Sequence, residues 1–296
     1  MKHMKKTLAD RVFDVFDVVL MLILLVVFAW PLWFVIIASI SDPDLVVAGE
    51  VLFFPKGLTL GGYKMVMEYK QIWSGYGNSL FYMAVGTVCS MVMSICLAYP
   101  LSEKTFALRK PLLVFVMFTM YFGGGLIPTY LIYKSLGILD TRVAVIFPGL
   151  ISVYNCLIIR SYFMNSIPGE LKEAATLDGA NSASYLIRVV LPLSKPVFAV
   201  VGLYYAVAYW NNYTKALYYV YDRSLMPLQN ILRSLLLSAE LMTELLSDPK
   251  LAEQAYEQAQ SMKYGVIIVA ALPMMILYPF IQKYFVKGVM VGAVKG

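Results

Sequence analysis

Six long apolar runs divide the chain, and polar segments of unequal length separate them. Each run falls within the ~17–25 residues that an α-helix needs to cross the hydrocarbon core of a bilayer. Between their ends the runs hold no Asp, Glu, Lys, Arg or His. The pattern predicts an all-α membrane protein with a single transmembrane domain over residues 1–296. Its six transmembrane helices are expected at about 18–40, 77–100, 111–133, 143–159, 197–214 and 264–282.

Composition and charge placement agree with a membrane location. Hydrophobic residues make up 60% of the chain and charged residues 14%, against ~25% charged residues in soluble domains. The net charge of +6 comes from basic residues at segment ends rather than from one cluster, which argues against a nucleic-acid partner. If both termini are cytoplasmic, 14 of the 24 Lys and Arg face the cytoplasm, as the positive-inside rule expects. We therefore expect a multi-pass protein of the cell membrane, in contact with lipid, with external segments at 41–76 and 215–263.

Glycine and proline interrupt the third run. Gly123, Gly124 and Gly125 are consecutive, and Pro128 follows. Such residues weaken or kink a helix, and irregular backbone at membrane depth is tolerated only where protein or a water-filled path covers it. Two interpretations remain open, a break that lines a pathway and close packing of helices across small residues.

The segment 163–195 is too polar to cross a bilayer, and its pattern is that of a helical hairpin. Glu170 is typical of a helix start, where an acid faces the positive end of the helix dipole. Asp178 and Gly179 form a stop signal, because glycine tolerates the left-handed conformation that ends helices. Asn181 or the serine after it is expected to cap a second helix. The small residues at the turn would let another protein approach the backbone closely.

The residue inventory limits the chemistry. The only histidine is His3, and Cys89, Cys96 and Cys156 all lie inside apolar runs, where they are expected to be small buried hydrophobes. The dipeptide Gly-Lys never occurs, so the chain lacks the phosphate-binding loop of P-loop ATPases. We expect no catalytic residues, no metal site and no cofactor in this chain. The protein is then not an enzyme, and ATP-driven work would need a separate motor.

The hairpin also resembles a known motif, the EAA loop of the integral-membrane subunits of ABC importers. The matching residues are Glu173, Ala174, Ala175, Asp178, Gly179, Ala180, Leu191 and Pro192. The resemblance implies a type I ABC importer (MetI-like) permease fold in which this cytoplasmic hairpin is the coupling helix, seated in a cleft of the ATPase. It further implies a second homologous permease subunit, two ATPase subunits that carry the ATP and Mg, and an extracellular or lipoprotein solute-binding protein.

Other stretches resemble the carbohydrate-type permeases of this binding-protein-dependent transport family. They include GGGLIPTYLIYKSLGILDT, MPLQNILR and the tail KGVMVGAVKG. The resemblance implies transport of an oligosaccharide, with complex and uronate-containing sugars among the candidates, and a tail at 288–296 that reaches the ATPase interface. One departure is Tyr185, where the family commonly has Phe.

Several aromatic and amide residues are candidates for a sugar path. Carbohydrates stack their apolar C–H faces on aromatic rings and bond their hydroxyls to amides. The candidate residues are Tyr209, Trp210, Asn211, Asn212, Tyr213, Gly124 and Asn155. The aromatic members have a second interpretation, an interfacial belt at the membrane surface.

Three other classes of protein were weighed against the importer. An ion-coupled secondary sugar carrier would need internal repeats and broken helices around an ion site, and neither a repeat nor an intramembrane charge is present in the predicted spans. An intramembrane enzyme would need paired acids, a Ser-His pair or a metal set within a span. A structural scaffold would leave the hairpin motif without a role.

Overall fold

The apolar runs form long helices, several of which are broken. The computed structural model describes residues 7–245, 260, 262–277 and 279, and no strand occurs among them. The tail at 288–296 and the helix start expected at Asp248 and Pro249 lie outside the described residues. The chain divides into two compact units, one from 1–69 and 234–271 and the other from 70–233 and 272–296.

The first unit begins with a long helix whose surface is apolar. Helix α1 spans Leu8–Ser39, and Thr7 caps it in a reciprocal pair of hydrogen bonds with Asp10. Every large apolar side chain from residue 12 to residue 28 is exposed. An apolar surface of this size is stable when lipid covers it.

Short elements complete the described part of this unit. Helix α2 covers Pro43–Val47 and α3 covers Gly61–Glu68. The Tyr63 hydroxyl donates to Ser39 Oγ at 2.7 Å, which ties α3 to the end of α1. Residues 262–271 of the apolar helix Met262–Leu277 also belong to this unit, and Gly265 lies against the backbone of Gly62 at the start of α3.

The second unit is built around one long helix. Helix α4 covers Lys70–Ser102, and it packs against α8, Val153–Ser166, and α12, Lys195–Trp210. Its buried face repeats every four residues and is mostly small or polar: Asn78, Tyr82, Gly86, Ser90, Ser94 and Ala98. Small residues in such a stripe let neighbouring helices approach closely in a membrane.

The remaining elements of this unit are shorter. They are α5 (Arg109–Tyr121), α6 (Leu126–Ser135), α7 (Arg142–Ile146), a 3-10 turn (Phe147–Gly149), α9 (Glu170–Leu177), α10 (Ser182–Tyr185), a π-helical turn (Leu186–Val190), α11 (Leu191–Leu193), α13 (Thr214–Tyr219) and a second 3-10 turn (Arg223–Leu225). Helix α14 (Leu228–Leu245) begins in this unit, and its residues from 234 onward belong to the first unit.

Two of the predicted spans are broken rather than straight. Helices α5 and α6 meet at 113°, and α7 with its 3-10 turn meets α8 at 49°. The first break lies at the three glycines, where Gly125 has a φ of +84°. Pro128 falls in the first turn of α6, where its missing N–H costs no helical hydrogen bond. By length and composition, α1 and α4 can each cross a membrane, and so can each of three bent helix pairs if counted as one span.

Candidate functional site

The polar hairpin is a helix–turn–helix, and local sequence chemistry explains its turn. Helix α9 ends at the C-cap Asp178, and Gly179 follows with a φ of +77°. An L-residue with a side chain is strained in this left-handed region. The Asn181 side chain then accepts a hydrogen bond from the Ser184 backbone N–H at 2.8 Å and caps α10.

One side of the hairpin is anchored in the core of the unit. Tyr185 and Val190 are buried in a cluster with Ala98 and Leu101 of α4, and Ala175 packs against the same cluster. Burial, and next the nearby Glu103 carboxylate, raises the pKa of Tyr185, so its phenol is neutral at physiological pH. The hairpin is therefore seated on the end of α4 by apolar contacts.

Polar contacts hold the hairpin to the same end of α4. Lys172 of α9 forms an ion pair with Glu103, which directly follows α4. The Tyr99 hydroxyl donates to the Ser182 carbonyl at 3.1 Å, at the start of the second hairpin helix. Both arms of the hairpin are thus tied to the end of α4.

The opposite side of the hairpin is open. Glu173, Ala174, Asp178, Gly179 and Pro192 are exposed, and Ala175, Ala180 and Leu191 are half-buried. The tip residue Leu177 is 89% exposed. The Glu173 carboxylate has no ion-pair partner in the described part of the chain, and a Cβ at position 179 would meet no atom within 4 Å.

A cavity with a mixed lining lies at the break before α8, in the same unit. Its volume is about 240 Å³. The lining residues are Pro148, Gly149, Ile151, Ser152, Asn155, Tyr205, Ala208, Tyr209 and Lys215. Broken helices at membrane depth are typical of binding sites in transporters.

Two tyrosines of α12 hold the broken backbone beside this cavity. The Tyr205 hydroxyl accepts a hydrogen bond from the Ser152 backbone N–H at 3.0 Å and bonds to Ser94 Oγ at 2.6 Å. The Tyr209 hydroxyl donates to the Ile146 carbonyl at 3.0 Å and lies 3.0 Å from Ser90 Oγ. These bonds satisfy polar groups that the helix break would otherwise leave unpaired.

Comparison with known proteins places the chain among transport subunits. A scan against protein-family models gives no match. The chain is 37% identical over 287 residues to the polygalacturonan/rhamnogalacturonan transport system permease protein YtcP of Bacillus subtilis (strain 168), covering 97% of this chain and 99% of the relative. It is 38% identical over 293 residues to Protein LplC of the same organism, covering 99% and 98%. The chain belongs to the sugar ABC transporter permease family.

A solved structure agrees with this assignment of the permease. A chain in the crystal structure of a bacterial ABC transporter involved in the import of the acidic polysaccharide alginate superposes with a TM-score of 0.83 at 30% identity. The match covers 95% of the permease and 99% of that chain. The all-helical architecture is therefore that of an ABC importer permease, and its relatives are transport subunits rather than enzymes.

The path residues predicted for this permease do not form one group. Tyr209 and Asn155 line the cavity, whereas Trp210 is 1% exposed. Asn212 is also buried, and the remaining three lie on exposed positions: Asn211, Tyr213 and Gly124. A Cβ at Gly124 would meet only Pro128, at 3.8 Å, so these glycines do not pack closely on another described helix.

The structure also brings in residues that sequence reasoning missed. Lys215 directly follows the fifth predicted span and was counted as external, but its side chain lines the cavity. Ser152 and Tyr205 hold the break at which the cavity forms. Glu103 and Lys172 tie the hairpin to α4. The small residues that recur every four positions along α4 were the sequence feature that could have indicated the face of α4 against which Tyr205 and Tyr209 pack.

Proposed function

We propose that this chain is one of two permease subunits of an ATP-driven, solute-binding-protein-dependent oligosaccharide importer. It forms half of the translocation path and receives the motion of an ATPase through the EAA hairpin. Both termini and the hairpin are cytoplasmic, and the solute-binding protein delivers sugar at the external face. The partners are a second homologous permease, two ATPase subunits that bind ATP and Mg, and the binding protein.

The observation that carries this proposal is the asymmetry of the hairpin. One side is held to α4 by the core cluster and by the Lys172–Glu103 ion pair. The other side presents Glu173, which has no ion-pair partner among the described residues, and a highly exposed apolar tip at Leu177. A helix that is rigidly held on one side and open on the other suits docking into a partner's groove.

The substrate class is inferred from the relatives, and the energy source is inferred from the sequence. One relative, YtcP, is named for polygalacturonan and rhamnogalacturonan transport, and the solved structure belongs to a transporter involved in the import of the acidic polysaccharide alginate. We therefore favour a complex oligosaccharide that contains sugar acids. The chain lacks a P-loop sequence, so an ATP-driven cycle would use a separate ATPase.

The coupling role is tested by three variants in the assembled importer. We expect Glu173→Ala and Gly179→Val to reduce sugar uptake strongly, either with continued ATP hydrolysis or with loss of bound ATPase. Gly179→Val should act because a side chain at position 179 would meet no described atom within 4 Å and would therefore face the partner. The φ of +77° also strains any residue with a side chain there. Glu170→Ala is the matched control, since it removes an exposed acid one turn earlier on the same helix.

Uptake and copurified ATPase are measured for all three variants in parallel. Wild-type uptake in the control, with loss in the other two, supports the coupling role. Normal uptake and a normal amount of bound ATPase in both Glu173→Ala and Gly179→Val would contradict it.

A second candidate function is an ion-coupled carrier that works without an ATPase. The ionisable Lys215 in the cavity is the observation that favours it. The two functions differ in their response to ionophores: an ion-coupled carrier loses uptake when the gradient of its coupling ion collapses, whereas an ATP-driven importer in vesicles loaded with ATP does not.

A further inference from the structure

The cavity before α8 contains a cation with no negative partner. The Lys215 ammonium lies 5.4 Å from the centroid of the Tyr209 ring. No carboxylate lies within ion-pair distance of it in the described residues. Gly149 makes room for this ammonium, because a Cβ there would lie 2.6 Å from Lys215 Nζ.

An unpaired cation in such a place is costly unless an anion joins it. Burial lowers the pKa of Lys215, which lies just outside the fifth predicted span. The charged form is disfavoured by desolvation and is restored by a nearby opposite charge. Since the residues that the structure describes supply no such charge here, a ligand is the natural source.

A second polar group faces the same space. Asn155 is 6% exposed and lines the cavity, and it is the backbone N–H of this residue, not its side-chain amide, that donates to Ser152 Oγ at 3.4 Å. Asn155 lies in the first turn of α8, a 14-residue helix capped by Ser152. The positive end of that helix adds to the field of the ammonium. In transporters, N-termini of broken helices commonly point at anionic groups of the substrate.

The walls suit a sugar ring rather than a bare ion. Pro148, Ile151 and Ala208 give the cavity apolar surface, and the Tyr209 ring borders it. Its volume of about 240 Å³ is just below the ~300–1,000 Å³ of typical small-molecule pockets. One sugar unit fits this space, and a whole oligosaccharide does not.

We propose that this cavity is a subsite for the carboxylate of one uronate unit of the transported oligosaccharide. Lys215 pairs with the carboxylate, and the Asn155 amide donates a hydrogen bond to it or to a neighbouring hydroxyl. The inference rests on the proposed import function and adds to it the site that recognises the acid group.

The test uses the complete importer in vesicles and two matched probes, trigalacturonate and its neutral methyl ester. We expect Lys215→Gln to lower uptake of trigalacturonate about tenfold or more, because a charge-assisted contact is lost. Uptake of the ester should change by less than about twofold. Lys215→Arg, which keeps the charge, should retain most of the acid uptake, and Lys134→Gln is the control for loss of an exposed lysine.

The outcomes separate the subsite from the transport function. If the wild-type importer takes up neither probe with ATP, the proposed function itself fails. The subsite is refuted if Lys215→Gln takes up trigalacturonate as well as the wild type does. It is also refuted if Lys215→Gln and Lys215→Arg lose uptake of trigalacturonate equally. If the wild type takes up only trigalacturonate and not its ester, the variants decide. The subsite is then supported when Lys215→Gln loses trigalacturonate uptake and both Lys215→Arg and Lys134→Gln retain it.

Discussion

Replacing Gly86 with Ala is a direct test of how the broken helices are held. The added Cβ would lie 2.6–2.7 Å from three atoms of the Tyr209 ring, whereas carbon atoms pack at ~3.5–4.0 Å. The ring must therefore move by roughly 1 Å. Its hydroxyl is bonded to the Ile146 carbonyl and to Ser90 Oγ, so the movement strains both contacts.

The size of the effect follows from three contributions. Overpacking a close-packed site costs about 1–3 kcal/mol. Weakening one buried hydrogen bond of Tyr209 adds about 0.5–1.5 kcal/mol. Alanine is favoured over glycine in a helix by about 0.5–1 kcal/mol, which offsets part of the cost. We expect Gly86→Ala to destabilise the protein by about 2 kcal/mol in total.

The assay is the melting midpoint of the detergent-solubilised importer at one fixed scan rate, because such unfolding is often irreversible. A loss of about 2 kcal/mol corresponds to a drop of roughly 4–8 °C for a chain of this size. Gly202→Ala is the matched control on the packed helix α12. Its Cβ would lie 3.5 Å from the Met91 methyl, an ordinary contact, so its midpoint should equal or slightly exceed that of wild type.

The Tyr209→Leu background isolates the clash with the ring. In that background the penalty of Gly86→Ala should largely disappear, because residues in contact are not additive. A Gly86→Ala protein with the same melting midpoint as the wild type would refute the packing argument. So would a penalty that is undiminished when the ring is absent.

The remaining predictions concern charge. Uptake of an acidic sugar should fall as pH rises through the lowered pKa of Lys215, since only the protonated amine pairs with a carboxylate; the other titratable side chains lining the cavity are the Tyr205 and Tyr209 phenols. A pH profile of Lys215→Arg that falls in the same range would contradict this. Breaking the partly exposed Glu103–Lys172 pair should cost about 1 kcal/mol or less but reduce the sugar imported per ATP hydrolysed. The charge-swapped double variant should recover that ratio, and no recovery would exclude the pair from coupling.

Local chemistry allowed the hairpin to be predicted residue by residue. Asp178, Gly179 and Asn181 act within one turn of their own backbone, so their roles follow from sequence alone. A break at the three glycines was one of the two interpretations that these residues allowed. Its 113° angle was not, because tertiary packing determines the direction in which the next helix leaves.

The structural role of the tyrosines near the end of α12 could not be predicted from the sequence. A sugar path and an interfacial belt were the two interpretations considered. The structure gives Tyr205 and Tyr209 a third role, since their hydroxyls hold backbone groups at the helix break. That role depends on contacts with residues more than 50 positions away, which hydropathy and composition do not report.

Lys215 was missed because a span boundary is drawn from hydropathy alone. The residue directly follows Thr214, the last position of the fifth predicted span, and was placed in the external segment 215–263. A lysine side chain is long enough to reach back from a helix end, and α13 directs this one to the cavity. Charged residues next to a span therefore need a structure before they are assigned to an aqueous segment.

The most direct measurement of the account is sugar uptake by reconstituted vesicles with and without the ATPase. The permease, its homologous partner and the binding protein are held constant, and ATP is supplied on the hairpin side. We predict that uptake requires both the ATPase and ATP and persists when a protonophore is added. Movement of sugar by the permease subunits alone, with no ATPase present, would contradict the claim that the hairpin delivers the driving force.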